Sequence, residues 1–140
     1  MWNLIKTNDD INELMECFGG FENSCVCSVK YRSGAYVGTV SEHFINDDMS
    51  LSVILQRRSR GFVQSFELLF RDIRLLRLEP MSKGMECYLT SAALKFTDTG
   101  ITFSTWDDFN TVNADSDILL ITAASLLWRD VSETVNSTAV

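Results

Sequence analysis

Alternation of apolar and polar residues with a period of two recurs along this sequence, and it restricts the possible folds more than any other feature of the sequence. Phe66, Leu68 and Phe70 alternate with polar neighbours, and the same pattern begins at Ser24. Successive side chains of a β-strand point to opposite faces, so the pattern predicts strands with one buried and one hydrated face. We expect strands at 24–32, 49–57, 66–70, 73–79, 85–97 and 101–106.

One segment near the N-terminus has the helical period instead. Its apolar residues recur at i, i+3, i+4 and i+7, which forms a single stripe on an α-helix. Thr7 or Asn8 is the expected N-cap, and Gly19 follows the stripe at the position where a left-handed residue ends a helix. The pattern predicts a helix over 8–18 whose stripe is Ile11, Leu14, Met15 and Phe18.

The connections between these elements predict the fold class. No strand is followed by a long helical crossover, so the sheet is expected to be largely antiparallel. The class is therefore α+β and mainly β: a largely antiparallel sheet or sandwich with one N-terminal helix. We expect a hairpin over 62–79 that turns at Asp72, and a second hairpin that turns at 98–100. Residues 118–128 fit a strand or a helix, and their leading β-branched residues favour a strand.

Length and composition bound the rest of the chain. The 140 residues predict one globular domain, over 1–130, with polar residues 131–140 as a flexible C-terminal tail. Residues 38–48 and 107–117 are expected to be loops. No secretory signal and no run of apolar residues long enough for a membrane helix stands out, so a cytoplasmic protein with reduced thiols is expected.

The net charge of −7 limits the classes of partner. An acidic surface repels phosphate backbones, so nucleic acid is not an expected partner. Two interpretations of the net charge remain. It serves solubility alone, or it marks an acidic face that binds a protein with a basic surface.

The four cysteines are candidates for metal or redox chemistry. In a regular strand Cys25 and Cys27 share a face and project in parallel, which is poor geometry for a disulfide. Cys17 and Cys87 are isolated in the sequence, and a zinc site would need all four to converge. We expect the thiols to be buried small hydrophobic groups, with no metal and no cofactor.

The remaining candidates for chemistry are few. His43 is the one histidine, and no nucleophile motif surrounds it. Asp107 and Asp108, which follow Trp106, together with Glu22, are the carboxylates that a hydrolase-like enzyme would use. Arg57, Arg58 and Arg60 with Gly61 form a basic turn, and its arginines either bind an anion or lie on the solvent face, where they deter edge pairing.

Several short motifs together resemble a family of small uncharacterised bacterial proteins, mainly from Gram-positive species. The matching residues are Gly19-Gly20, Phe21-Glu22-Asn23-Ser24, Tyr31, Ser33, Gly34, Tyr36, Val37, Gln56-Arg57, Glu67-Leu68-Leu69-Phe70 and Trp128-Arg129. The family has Phe-His-Asp-Ser where this chain has Phe21-Glu22-Asn23-Ser24. If the His-Asp pair of the family were catalytic, that activity would be impaired here, because Glu22 and Asn23 replace it. A structural role for Asn23 or Ser24 at the helix-to-strand corner fits this departure. The family is similar in size and pattern to immunity proteins of bacterial toxin systems.

These observations favour a non-enzymatic domain that binds another protein, as an immunity or accessory factor. A hydrolase-like enzyme that uses surface carboxylates is one alternative, and a self-associating structural domain, in the simplest case a homodimer, is another. The candidate interaction positions are Phe21, Glu22, Asn23, Ser24, Tyr31, Tyr36, Arg57, Trp106, Asp107 and Asp108.

Overall fold

The computed structural model describes residues 1–39, 43–45, 49–80, 89, 91–105 and 118–132. Within these ranges the chain forms one α-helix, a 3-10 turn at Gly19–Phe21 and nine strands. In chain order the elements are β1 (Asn3–Leu4), α1 (Asn8–Cys17), β2 (Cys25–Arg32), β3 (Ala35–Val37), β4 (His43–Ile45), β5 (Ser50–Ser59), β6 (Phe62–Glu79), β7 (Ala93–Thr97), β8 (Gly100–Ser104) and β9 (Ile118–Asp130).

Seven of the described strands form one antiparallel sheet. Its order is β2-β5-β6-β9-β8-β7, and the short β1 pairs with β9 at the end that β8 leaves open. β3 and β4 form a separate two-stranded ribbon. The predicted class, α+β and mainly β with a largely antiparallel sheet and an N-terminal helix, is confirmed.

The helix begins and ends where its sequence predicts. Thr7 Oγ1 accepts from the backbone N–H of Asp10, and the Asp10 carboxylate accepts from the backbone N–H of Thr7, which is a reciprocal capping box. The last helical residue is Cys17, and Gly19 follows with a φ of 60°. Because the side chains of Leu14 and Phe18 are fully buried, the apolar stripe faces the sheet as predicted.

The hairpin predicted over 62–79 is wrong, because these residues form the single strand β6. Asp72 adopts a φ of 56°, and the register with β9 shifts just after it, so this position bends the strand instead of reversing it. The chain reverses earlier, between β5 and β6, at Arg60 and Gly61. Their φ values of 51° and 85° are those of the two-residue turn that matches the twist of a hairpin.

The other predicted elements have mixed outcomes. β7 and β8 form the second hairpin around 98–100, and 118–128 belongs to the strand β9. The loop predicted over 38–48 contains the strand β4, so that prediction is wrong in part. The loop at 107–117 lies outside the described residues. Val131 donates a backbone hydrogen bond to Ser65 O (2.8 Å), while 133–140 are not described.

The core lies between α1 and one face of the sheet. Buried side chains alternate along β5 at Leu51, Val53 and Leu55. The aromatic rings of Phe18 and Phe66 stack with centroids 4.4 Å apart, and the rings of Phe66 and Trp128 stack at 5.1 Å. These contacts join the end of α1 to the two central strands. On the opposite face, Ile54, Leu69 and Leu127 are partly exposed, whereas Thr102 and Ser104 are buried.

No helix within the described ranges is both long enough and apolar enough to cross a bilayer.

Candidate functional site

The motif Phe21-Glu22-Asn23-Ser24 forms the corner between α1 and β2. Phe21 is fully buried, and Ser24 Oγ donates to Phe21 O (2.6 Å) from a fully buried position. Asn23 N donates to Leu89 O, and Leu89 N donates to Ser24 O. The predicted structural role of Ser24 is confirmed, since its hydroxyl satisfies a buried carbonyl. Glu22 is exposed at the outside of this corner.

The prediction that the thiols are buried is wrong for the three cysteines that the structure describes. A β-bulge between Val26 and Ser28 shifts the register against β5, so Val26 and Val29 both pack against the core. Cys27 occupies the bulge and is exposed, and its Sγ contacts Gln56 Oε1 at 3.4 Å. Cys25 is half-buried, Cys17 is exposed and Cys87 is not described.

The thiol of Cys17 has a raised pKa. Its partial burial is the main cause, and the carboxylates of Glu13, Glu16 and Asp130 add to the rise by repelling the thiolate. Cys17 borders a concave site of about 390 Å³ whose floor includes Phe66 and Trp128. Among the described residues no group of three or more His, Cys, Asp or Glu side chains lies close enough to hold a metal ion.

The prediction that Arg57 lies in a turn on the solvent face is wrong, because it is within β5 and lies on the core side of the sheet, beneath the end of α1. Its guanidinium carbon is 5.9 Å from the centre of the Phe18 ring, and its Nε is buried with no hydrogen bond. Gln64, directly opposite on β6, likewise has a buried side-chain oxygen with no hydrogen bond. A positive charge at this position complements the carbonyl end of the helix, which has no basic residue in its own last turn.

The other predicted positions do not converge. Tyr31 and Tyr36 are 49% and 50% exposed and flank the bend at Gly34, where a shallow concave site of about 320 Å³ is formed by 32–36. Trp106, Asp107 and Asp108 lie outside the described residues, so the carboxylate pair of the enzyme hypothesis is not placed. His43 is in β4, and its side chain is not described.

The most organised group of polar side chains lies on the outer, solvent-facing side of the sheet. Glu67 on β6 is directly opposite Ile54 on β5 and Arg129 on β9. Arg129 Nε donates to Glu67 Oε1 (2.9 Å), and its Nη2 lies 2.8 Å from the same oxygen. Ser52 Oγ donates to the other oxygen, Oε2, at 2.6 Å. Both carboxylate oxygens are therefore held by neighbouring strands.

An aromatic ring completes this group. The guanidinium carbon of Arg129 lies 4.2 Å from the centre of the Trp2 ring, close enough for a cation–π contact. The side chain of Glu67 is only 15% exposed, whereas that of Arg129 is 41% exposed. The carboxylate thus fixes the guanidinium from below while one side of the guanidinium remains accessible to a partner.

A row of leucines lies beside the ion pair on the same face. Leu4, Leu127 and Leu69 are directly opposite one another on β1, β9 and β6. Leu4 is 43% exposed, and Leu69, Leu127 and the neighbouring Ile54 are half-buried. We call this surface the outer patch; its members are Trp2, Leu4, Ser52, Ile54, Glu67, Leu69, Leu127 and Arg129.

Sequence reasoning missed the outer patch as a site. Three of its members, Glu67, Leu69 and Arg129, lie in the matching motifs Glu67-Leu68-Leu69-Phe70 and Trp128-Arg129, which is the one signal that points to them. Nothing in the sequence shows that these motifs are neighbours, because their pairing depends on β6 and β9 being adjacent.

Comparisons with protein-family models, with curated proteins and with solved structures gave no match.

Proposed function

We propose that this chain is a protein-binding domain and that the outer patch is the surface with which it binds its partner. The observation that carries the proposal is the arrangement of Trp2, Arg129 and Glu67, in which an aromatic ring and a guanidinium are held in place on an open sheet face. Trp and Arg are among the residues that contribute most to binding energy in protein interfaces. A guanidinium already fixed by a carboxylate loses little conformational freedom when a partner binds.

The apolar residues of the patch support a protein partner. A row of half-exposed leucines beside an ion pair gives the apolar centre and polar surroundings that are typical of protein interfaces. Four strands about 4.8 Å apart and two rows of outward side chains about 7 Å apart give a face of roughly 270 Å². An interface of ordinary size buries about 800 Å² on each partner, so the partner has to reach beyond the patch.

Exposed side chains next to the patch offer that additional area. β2 ends at Arg32 and continues through the bend at Gly34 to Tyr36 and Val37, which are 50% and 66% exposed. Tyr31, at 49% exposed, lies just before this bend. Tyr31 is directly opposite the buried Leu51 and therefore belongs to the core face, so of these two predicted interaction positions Tyr36 is the one that extends the candidate surface.

The biological context of the proposal comes from the resemblance. Similarity to small bacterial proteins of toxin-immunity type favours an immunity or accessory factor that acts in the cytoplasm without catalysis. The net charge of −7 favours a basic partner, and that prediction concerns the molecule as a whole and not the outer patch. Turnover on a panel of hydrolase and phosphatase substrates would contradict the non-enzymatic part of the proposal.

A capture experiment with matched variants tests the proposal. Tagged wild-type protein and the Trp2→Ala/Leu4→Ala variant are used to capture partners from a lysate of the native host, with quantitative mass spectrometry. The control is Phe96→Ala/Leu75→Ala, which removes an aromatic residue and a leucine that are 39% and 48% exposed outside the patch. A protein that the wild type and the control recover equally and the patch variant loses supports the proposal.

Two results would contradict it. Equal recovery by the patch variant would place the binding surface elsewhere. Light scattering that shows a dimer of the wild type, dissociated by the patch variant, would assign the patch to self-association instead. Circular dichroism and urea unfolding of all three proteins show whether the variants are folded, so that loss of capture is not mistaken for loss of structure.

A further inference from the structure

We propose that the outer patch recognises an acidic protein surface, an inference that rests on the proposed function and adds the chemistry of the partner. The distribution of charge around the patch supports this inference, because it differs from that of the whole chain. The chain carries a net charge of −7, yet the face that surrounds the patch is basic.

The basic character follows from which side chains share the outer face. The register of β2, β5, β6 and β9 places six basic side chains and two acidic side chains on this face of the described sheet. The acidic ones are Glu67 and Glu79. The basic ones are Lys30, Arg32, Arg58, Arg71, Arg77 and Arg129.

Both acidic groups of this face are already paired. Both oxygens of Glu67 are occupied by Arg129 and Ser52, and Glu79 forms a salt bridge with Arg77. Lys30, Arg32 and Arg71 are all exposed, and within the described residues the salt bridges of this face are Arg129–Glu67 and Arg77–Glu79. The uncompensated charge around the leucine row is therefore positive, which complements carboxylates on a partner.

The position of these charges relative to the leucines defines the shape of the complementary surface. Lys30 is at the end of the row that contains Ser52, Leu69, Leu127 and Leu4. Arg32 and Arg71 belong to the next row, on either side of Ser50. A fitting partner therefore has an apolar centre with acidic residues along one border.

Aliphatic side chains at the centre favour a protein over a nucleic acid. Proteins that bind single strands present aromatic rings on which bases stack, in a groove of positive charge. Here the centre of the patch is Leu4, Ile54, Leu69 and Leu127, and its one described aromatic side chain, Trp2, is stacked against Arg129.

The experiment uses two synthetic amphipathic peptides with the same leucine stripe, one flanked by glutamates and one flanked by lysines. Protein labelled with 5-fluorotryptophan reports on three tryptophans by ¹⁹F NMR, and the Trp2→Phe variant assigns the Trp2 resonance. We expect the glutamate peptide to shift the Trp2 resonance and to bind less tightly as salt is raised. The lysine peptide is expected to leave the resonance unchanged.

Charge reversal on the border of the patch gives the matched comparison. Arg32→Glu/Arg71→Glu is expected to weaken the glutamate peptide about tenfold or more, since like charges then face each other across the contact. Lys6→Glu/Lys95→Glu changes the net charge by the same amount outside the border of the patch, since Lys6 precedes α1 and Lys95 lies on β7, beyond β8. This control is expected to weaken binding by less than about twofold.

Four outcomes would overturn the inference: no shift with the glutamate peptide, equal binding of the lysine peptide, an equal loss in the Lys6/Lys95 control, or displacement of the peptide by oligothymidylate. The last would indicate a site for phosphate backbones. Failure of the proposed function is a separate result, namely capture that survives Trp2→Ala/Leu4→Ala. If capture depends on the patch but the lysine peptide binds better, only the acidic nature of the partner is wrong.

Discussion

Gly19→Ala tests the contact between the end of α1 and the sheet. Gly19 has a φ of 60°, a left-handed conformation that disfavours an L-residue by about 1–2 kcal/mol. A Cβ built at this position would also lie 1.7 Å from Arg57 Nη1, so the guanidinium would have to move. We therefore expect Gly19→Ala to be more destabilising than the backbone conformation alone accounts for.

The neighbouring glycine separates the two contributions. Gly20 has a φ of 66°, and a Cβ there would have no atom within 4 Å. Gly20→Ala should therefore lower the free energy of unfolding by only about 1–2 kcal/mol. In Gly19→Ala the displaced Arg57 also gives up its contact with the Phe18 ring, worth about 0.5–1 kcal/mol. The expected loss of unfolding free energy for Gly19→Ala is then about 1.5–3 kcal/mol.

Urea unfolding of a double-mutant cycle measures this excess. In the Arg57→Ala background the obstructing guanidinium is absent, so Gly19→Ala should become as mild as Gly20→Ala. The coupling energy between Gly19 and Arg57 is expected to be about 1 kcal/mol. Equal losses for the two glycine variants in the wild-type background would refute the reasoning, as would an excess that persists without Arg57.

Three further predictions concern charged groups. Glu67→Gln should lower the free energy of unfolding, measured in urea, by about 1–2 kcal/mol. This value lies between those typical of removing one partner from an exposed and from a buried salt bridge. An unchanged stability would contradict the role of the ion pair. Hydrogen bonds from the backbone N–H groups of Lys6 and Thr7 hold the pKa of Asp10 below 3.8, so its stabilisation is present above that pH and is lost as the pH falls through the folded-state pKa. Asp10→Asn should therefore flatten the acid side of the stability profile measured by urea unfolding, and an identical profile would count against the capping box. Burial, and then the carboxylates of Glu13 and Glu16, raise the pKa of the Cys17 thiol. Glu13→Gln/Glu16→Gln should therefore speed the alkylation of Cys17 by iodoacetamide, measured in a variant whose other cysteines are replaced by serine. An unchanged rate would exclude repulsion by these carboxylates.

Local signals predicted the helix and most of the strands correctly. The capping residues around Thr7 and Asp10 and the glycine after Phe18 set the bounds of α1, because backbone groups at helix ends need nearby partners. Apolar alternation identified β5, the first half of β6 and β8. The turn at Asp72 was wrong because a residue that tolerates a positive φ serves a bend within a strand as well as a reversal.

The candidate site was far less accessible to sequence reasoning. Its members come from positions as distant as Trp2, Ser52, Glu67 and Arg129, and no local pattern joins them. The thiols show the same limit at shorter range. One extra residue in β2, at Cys27, moved that side chain out of the expected face, since a bulge breaks the period of two.

The sequence by itself determined the local elements: where α1 starts and stops, which segments are extended, and where Arg60-Gly61 reverses the chain. These depend on backbone conformation and on the period of burial within a few residues, which short stretches encode. Only the tertiary structure decided that β9 lies between β6 and β8 and that β1 borders it. Strand order depends on long-range pairing, and that pairing is what places Trp2 against Arg129 and Arg129 against Glu67 on one open face.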